Sequence, residues 1–183
     1  MLRALDWEYL TRKEPPFLHF TSCTEAAADS YAYGLANART SEQVGVMSRI
    51  IRGEECATLE RLMQECAAAL QFPCYFGRRG WDAFAECIRD LHEWIANDKY
   101  ALFVTRVDRI LRNDDEQFVA FVEILQMAAE YWMFERGEEV GRDCEPRPFH
   151  VVLHCEPEAA EHGLKRIRQT GVPFNEIVLW HGK

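Results

Sequence analysis

Short apolar runs alternate along this chain with longer segments of helical periodicity, and that alternation constrains the fold more than any other feature. Residues 46–51, 101–104 and 149–155 have the length and apolar content of buried strands. Helical patterns at 58–70, 81–95 and 115–134 separate them. Consecutive parallel strands need a crossover long enough to hold a helix, so this order predicts an α/β fold with a parallel sheet. The chain has 183 residues, 48% of them apolar, which is enough for a core without disulfides.

Local signals mark the element ends. Thr24 stands as an N-cap before a helix reaching about residue 38, and Thr58 before one reaching about residue 70. Leu59, Leu62, Met63, Cys66, Ala69 and Leu70 recur there at helical spacing, and Phe72-Pro73 ends the pattern. Residues 106–112 read as a short helical turn. Asp114, Asp115 and Glu116 put negative charge at the positive end of the next helix. Residues 135–148 read as a loop, and Pro157 suits the first turn of a helix to about residue 170. Residues 17–20 and 176–180 are apolar enough to be strands, either pairing with each other or extending the sheet.

The net charge is −9, which argues against a protein that grips nucleic-acid phosphates and suits either a basic protein partner or simple solubility. Residues 111–145 carry most of it, with ten carboxylates against three cations. No apolar run reaches the ~18 residues of a membrane span, and the N-terminus lacks the apolar stretch of a signal peptide. The seven cysteines are odd in number and lie mostly inside apolar patterns, as reduced thiols of a cytoplasmic protein do.

Within 81–95, Phe84, Cys87, Ile88, Leu91, Trp94 and Ile95 fall on one side of a helix. Asp82, Glu86, Asp90 and Glu93 fall on the other as an acidic ridge, interrupted only by Arg89. Like charges at i, i+4 repel by a few tenths of a kcal/mol each. A ridge that bears this cost beside the aromatic loop Tyr75-Phe76-Gly77 suits a surface made for a basic cleft.

The run Phe72-Pro-Cys-Tyr-Phe-Gly-Arg-Arg-Gly-Trp-Asp-Ala-Phe-Ala-Glu-Cys-Ile-Arg-Asp-Leu91 resembles the central signature of the barstar family, intracellular inhibitors of ribonucleases. That signature is Pro-x-Tyr-(Tyr/Phe)-Gly, a short turn, an aromatic residue or Leu, Asp-Ala, then Asp/Glu-Cys-Leu. The resemblance covers roughly residues 46–155. It implies a small three-stranded parallel sheet packed by helices; the flanks 1–45 and 156–183 exceed the family's compact size and are expected to add short strands and helices, either as structural elaboration or as an added binding surface. It also implies that the helix after the loop, with the loop itself, enters a nuclease active site, acidic groups standing in for substrate phosphates. Carried over by position, Tyr75, Phe76, Gly77, Asp82, Glu86, Asp90 and Glu93 form the partner-binding set, with Asp82 and Glu86 central. The sequence departs from the pattern in three places. The turn Arg78-Arg79-Gly80 is one residue longer, Ala85 replaces a bulky aromatic, and Met127 falls where a further carboxylate is expected.

The expected function is therefore an immunity protein or antitoxin that occludes the basic active site of a nuclease, with no enzymatic activity and no cofactor. The competing class is a non-inhibitory interaction or regulatory module on the same fold. Other chemistry finds less support. His150 and His154 on one strand stand ~13 Å apart at ~3.3 Å per residue, too far to share a zinc ion with Cys144 or Cys155. No nucleophile signature accompanies the cysteines, and Gly77–Gly80 lacks the spacing of a phosphate loop.

Overall fold

Successive side chains of one strand, Lys99–Thr105, leave on opposite sides of the sheet. Tyr100, Leu102 and Val104 join the larger apolar core, while Ala101 and Phe103 join a smaller one. A strand buried on both faces belongs inside a sheet covered on both sides. The computed structural model describes residues 3–5, 9–37, 46–73, 76, 80–135 and 146–179. Its strands are β1 (Arg3–Leu5), β2 (Leu18–Ser22), β3 (Val46–Arg52), β4 (Lys99–Thr105), β5 (Phe149–Cys155) and β6 (Phe174–Leu179). They form a six-stranded sheet in the order β1-β6-β2-β5-β4-β3, parallel at every described pairing. The expected three-stranded unit is its β5-β4-β3 part. The flanking strands β2 and β6 pair with each other and also extend the sheet through β5.

The helices are α1 (Glu25–Ala36), α2 (Leu59–Ala69), α3 (Trp81–Arg89), α4 (Asp115–Glu130) and α5 (Ala160–Gln169). Three N-caps close as the residue types require: Thr24 accepts from Ala27 N, Thr58 from Arg61 N and Asp114 from Gln117 N. α1 packs alone on the smaller core through Ala28, Ala32 and Leu35, and the other four helices cover the larger one.

Two elements differ from expectation. α3 ends at Arg89, and Leu91–Glu93 form a separate 3₁₀ turn, where the periodicity predicts one helix to residue 95. Tertiary bonds stop it. Trp94 Nε1 donates to Leu70 O at 3.1 Å, and Ile95 O accepts the Tyr100 hydroxyl at 2.8 Å, so the chain must turn back toward β4. Residues 107–113 are successive turns, not a helix, with Arg106 and Leu111 in the left-handed region (φ 49° and 46°).

Two of the buried histidines, His150 and His154, bind backbone carbonyls. His150 Nε2 donates to Arg12 O at 2.9 Å, leaving its Nδ1 to accept from His19 Nε2, also at 2.9 Å. His154 Nε2 donates to Cys23 O at 2.8 Å. The loop expected at 135–148, including Cys144, lies almost entirely outside the described residues.

Candidate functional site

α3 is short and strongly two-sided. Ala83, Phe84, Cys87 and Ile88 are buried, while Asp82, Glu86 and Arg89 are exposed. Nine residues would make a marginal helix alone, so packing must hold it. Its two ends are tied to α4 and to the π-helical turn Tyr131–Glu135 that follows it. At the start, Trp81 Nε1 donates to Gln117 Oε1 at 2.6 Å. At the end, Ile88 O accepts from Trp132 Nε1 at 3.0 Å, and the Arg89 guanidinium lies 4.5 Å from the centre of the Tyr131 ring. The outer face of α3 is thus presented on a rigid frame.

Asp82 and Glu86 stand one turn apart on that face, and neither makes an ion pair or side-chain hydrogen bond among the described residues. Asp82 also occupies the first turn, where the helix dipole favours negative charge. The four-carboxylate ridge does not continue as one helical row. Asp90 is the half-buried residue that ends α3, and Glu93 lies beyond it in the 3₁₀ turn, 3.3 Å from His92 Nε2.

Phe76, expected at the partner surface, is a core residue at 3% exposure. Its ring centre is 4.9 Å from that of Phe72, which in turn packs against Phe84 and Trp94. Its amide donates to Pro73 O at 2.9 Å. Apolar burial of such a ring is favourable by about 1.5–3 kcal/mol, so Phe76 anchors the loop instead of meeting a partner. Tyr75 and Gly77, together with Arg78 and Arg79, lie outside the described residues.

The sequence left the acidity of 111–145 without a role. On α4, Glu116, Glu123 and Glu130 recur every seven residues and are exposed, with Met127 beside them at 54% exposure. That spacing was the available signal. Because α4 packs alongside α3 on the same face of the sheet, the outward carboxylates of both helices belong to one side of the molecule.

No helix among the described residues is long and apolar enough to cross a membrane. No curated protein sequence matches the chain. The model of the family described as Barstar (barnase inhibitor) matches residues 46–154, which span β3 to β5 and contain the whole of α3. That family consists of inhibitors and not enzymes. With more than half of its length matched, the chain belongs to the barstar family.

Proposed function

We propose that this protein is a stoichiometric inhibitor of a nuclease, an immunity protein or antitoxin acting in the cytoplasm of the cell that makes the toxin. Asp82 and Glu86 enter the basic active-site cleft where substrate phosphates would lie, and Tyr75 and Gly77 add the loop contact. Asp90 and Glu93 act at longer range. The observation that carries this reading is the pair of exposed carboxylates, unpaired among the described residues, held on a helix fixed at both ends. Unpaired acidic groups in a rigid frame cost little reorganisation when they meet guanidinium or ammonium groups.

The test is inhibition of fluorogenic RNA cleavage by barnase, and by any nuclease encoded beside this gene, at stoichiometric concentrations. Asp82→Ala and Glu86→Ala are each expected to weaken binding by at least about tenfold, since one charged hydrogen bond contributes about 1.5–3 kcal/mol. Wild-type affinity in both variants would sink the site assignment. Binding without loss of cleavage would favour the non-inhibitory interaction module.

A further inference from the structure

β3 ends the strand order of the sheet, so one side of its backbone faces no other described strand. The bonds along it show which groups face that side. Ser48 O accepts from Arg49 Nη1 at 2.9 Å. Arg52 N donates to Glu65 Oε1 at 3.1 Å, and Arg52 O accepts from the Cys56 thiol at 3.3 Å. Ile51 O, by contrast, lies 3.5 Å from the Thr105 hydroxyl of β4. Each residue of a strand turns its N–H and C=O to one side, and its neighbours turn theirs to the other. Ile50, midway between Ser48 and Arg52, therefore points both groups to the open edge, where no hydrogen bond to them is found among the described residues.

Beside this edge lies a groove of about 270 Å³ between α1 and β3. Ala32, Tyr33 and Ala36 line it from the helix, and Ser48, Arg49 and Ile50 from the strand. Alanine at two of the helix positions leaves the space open, and Tyr33 is 66% exposed. Ser48 is 6% exposed, and its hydroxyl has no hydrogen-bond partner. Arg49 forms no ion pair among the described residues, and its bond to Ser48 O holds the guanidinium at the open edge. Because α1 packs on the smaller core, the groove lies across the sheet from α3 and α4.

We propose that the β3 edge and this groove form a docking site for an extended segment of a partner protein, one that alternates small apolar and acidic residues. The segment joins the sheet as an added strand and exchanges two main-chain hydrogen bonds with Ile50. Its side chains alternate between the two faces. The one opposite Ile50 turns toward α1 and enters the groove, whose volume falls below the ~300–1,000 Å³ of pockets for drug-sized ligands and suits a single apolar side chain. The next residue comes beside Arg49, whose remaining guanidinium donors take a carboxylate. A second copy of the chain fits less well. A two-fold axis at Ile50 would set Ser48 against Arg52, where Arg49 already holds the carbonyl and Glu65 the amide. A peptide needs only the Ile50 pair, and the same two bonds keep the open stretch too short for unlimited edge pairing.

The full-length protein is titrated with three short, end-blocked, fluorescein-labelled peptides, followed by fluorescence polarisation and amide hydrogen exchange. The first alternates valine and glutamate, the second alternates valine and lysine, and the third is the first with its main-chain nitrogens methylated. Saturable binding of the first is expected, with the Ile50 amide protected from exchange in the complex. The second and third should each bind about tenfold more weakly or worse. Ala36→Leu, which fills the groove from an exposed helix position, and Arg49→Gln should each weaken binding of the first peptide by about fivefold or more. Absence of saturable binding by the first peptide, equal binding of its methylated form, or unchanged affinity in both variants overturns the proposal. So does a dimer in sedimentation velocity that protects the Ile50 amide without peptide, which would assign the edge to a second copy.

Discussion

Arg166 holds the carboxy-terminal helix to the turn that launches α4, and its replacement gives a direct measure of that junction. The side chain is 4% exposed. Nη1 donates to Val107 O at 3.3 Å and Ile110 O at 2.8 Å, and Nη2 donates to Leu111 O at 3.2 Å. Nε reaches Asp115 Oδ1 at 3.1 Å, and the guanidinium lies 3.9 Å from the centre of the Phe118 ring. Three carbonyls of the 107–111 turn, which includes left-handed Leu111, are thus gathered on one cation.

Arg166→Met keeps most of the apolar stem and removes the charged head. Three hydrogen bonds to a cation contribute roughly 5–9 kcal/mol together, at about 1.5–3 each. Removing the buried cation also relieves its desolvation, which returns several kcal/mol. The Asp115 side chain is 73% exposed, so that ion pair adds less than about 1 kcal/mol. The net loss is on the order of 3 kcal/mol, which for a chain of this size lowers Tm by about 6–12 °C. Thermal and urea unfolding followed by tryptophan fluorescence read it directly. A Tm within about 2 °C of wild type would refute the reasoning, because the three carbonyls would then be as well satisfied by water.

Three further outcomes follow from the same structure. Gly53→Ala places a methyl group against the carbonyl oxygens of Thr105 and Arg106, so the backbone must shift and unfolding should become easier by about 1–3 kcal/mol or more, read as a lower urea midpoint. Burial, with the neighbouring His150, holds His19 well below the usual histidine range, and burial pushes His150 down to about 4 against the Arg12 carbonyl that favours its proton. The unfolded histidines take up protons near 6.5, so stability is complete above about pH 6.5 and is lost as pH falls toward 4. For His150 alone the loss is on the order of 3 kcal/mol, and His150→Gln should flatten urea midpoints measured across that window. Association with a basic nuclease should slow with added salt, since exposed carboxylates act over a Debye length of ~10 Å at 0.1 M; a salt-independent rate in stopped flow would remove steering from the account.

The elements legible in the sequence are those set by local chemistry. β5 is found at the residues its apolar run marks, and Thr24 and Thr58 cap the helices they precede. What the sequence concealed depends on distant partners. The end of α3 is decided by Leu70 and Tyr100, neither of which the periodicity of 81–95 contains. The ring of Phe76 turns inward because Phe72 meets it, whereas an aromatic beside a glycine reads equally well as exposed. β1 is only three residues long and exists by pairing with β6, at the other end of the chain. Asp82 and Glu86 were legible as outward-facing because the apolar face of α3 is unambiguous, and the half-burial of Asp90 was not, because it follows from where the helix stops.

The placement of charge in this fold also argues for surface recognition. In open parallel sheets a ligand crevice forms at the carboxyl ends of neighbouring strands whose following helices go to opposite faces. Here those strands are β2, followed by α1 on one face, and β5, followed by α5 on the other. The protein fills that crevice with its own groups. Glu156 Oε1 accepts from Glu25 N at 2.9 Å, so a carboxylate already sits at the positive end of α1, where an anionic ligand would otherwise be drawn. Thr105 Oγ1 donates to Glu25 Oε1 at 3.3 Å, and His154 holds Cys23 O beside them. Carboxylates at the strand ends are thereby consumed in closing the sheet, whereas those on the outer faces of α3 and α4 are left turned to solvent. Two helices packed together and carrying the exposed carboxylates Asp82, Glu86, Glu116 and Glu123 form an acidic surface, and such a surface is complementary to a basic cleft in another protein.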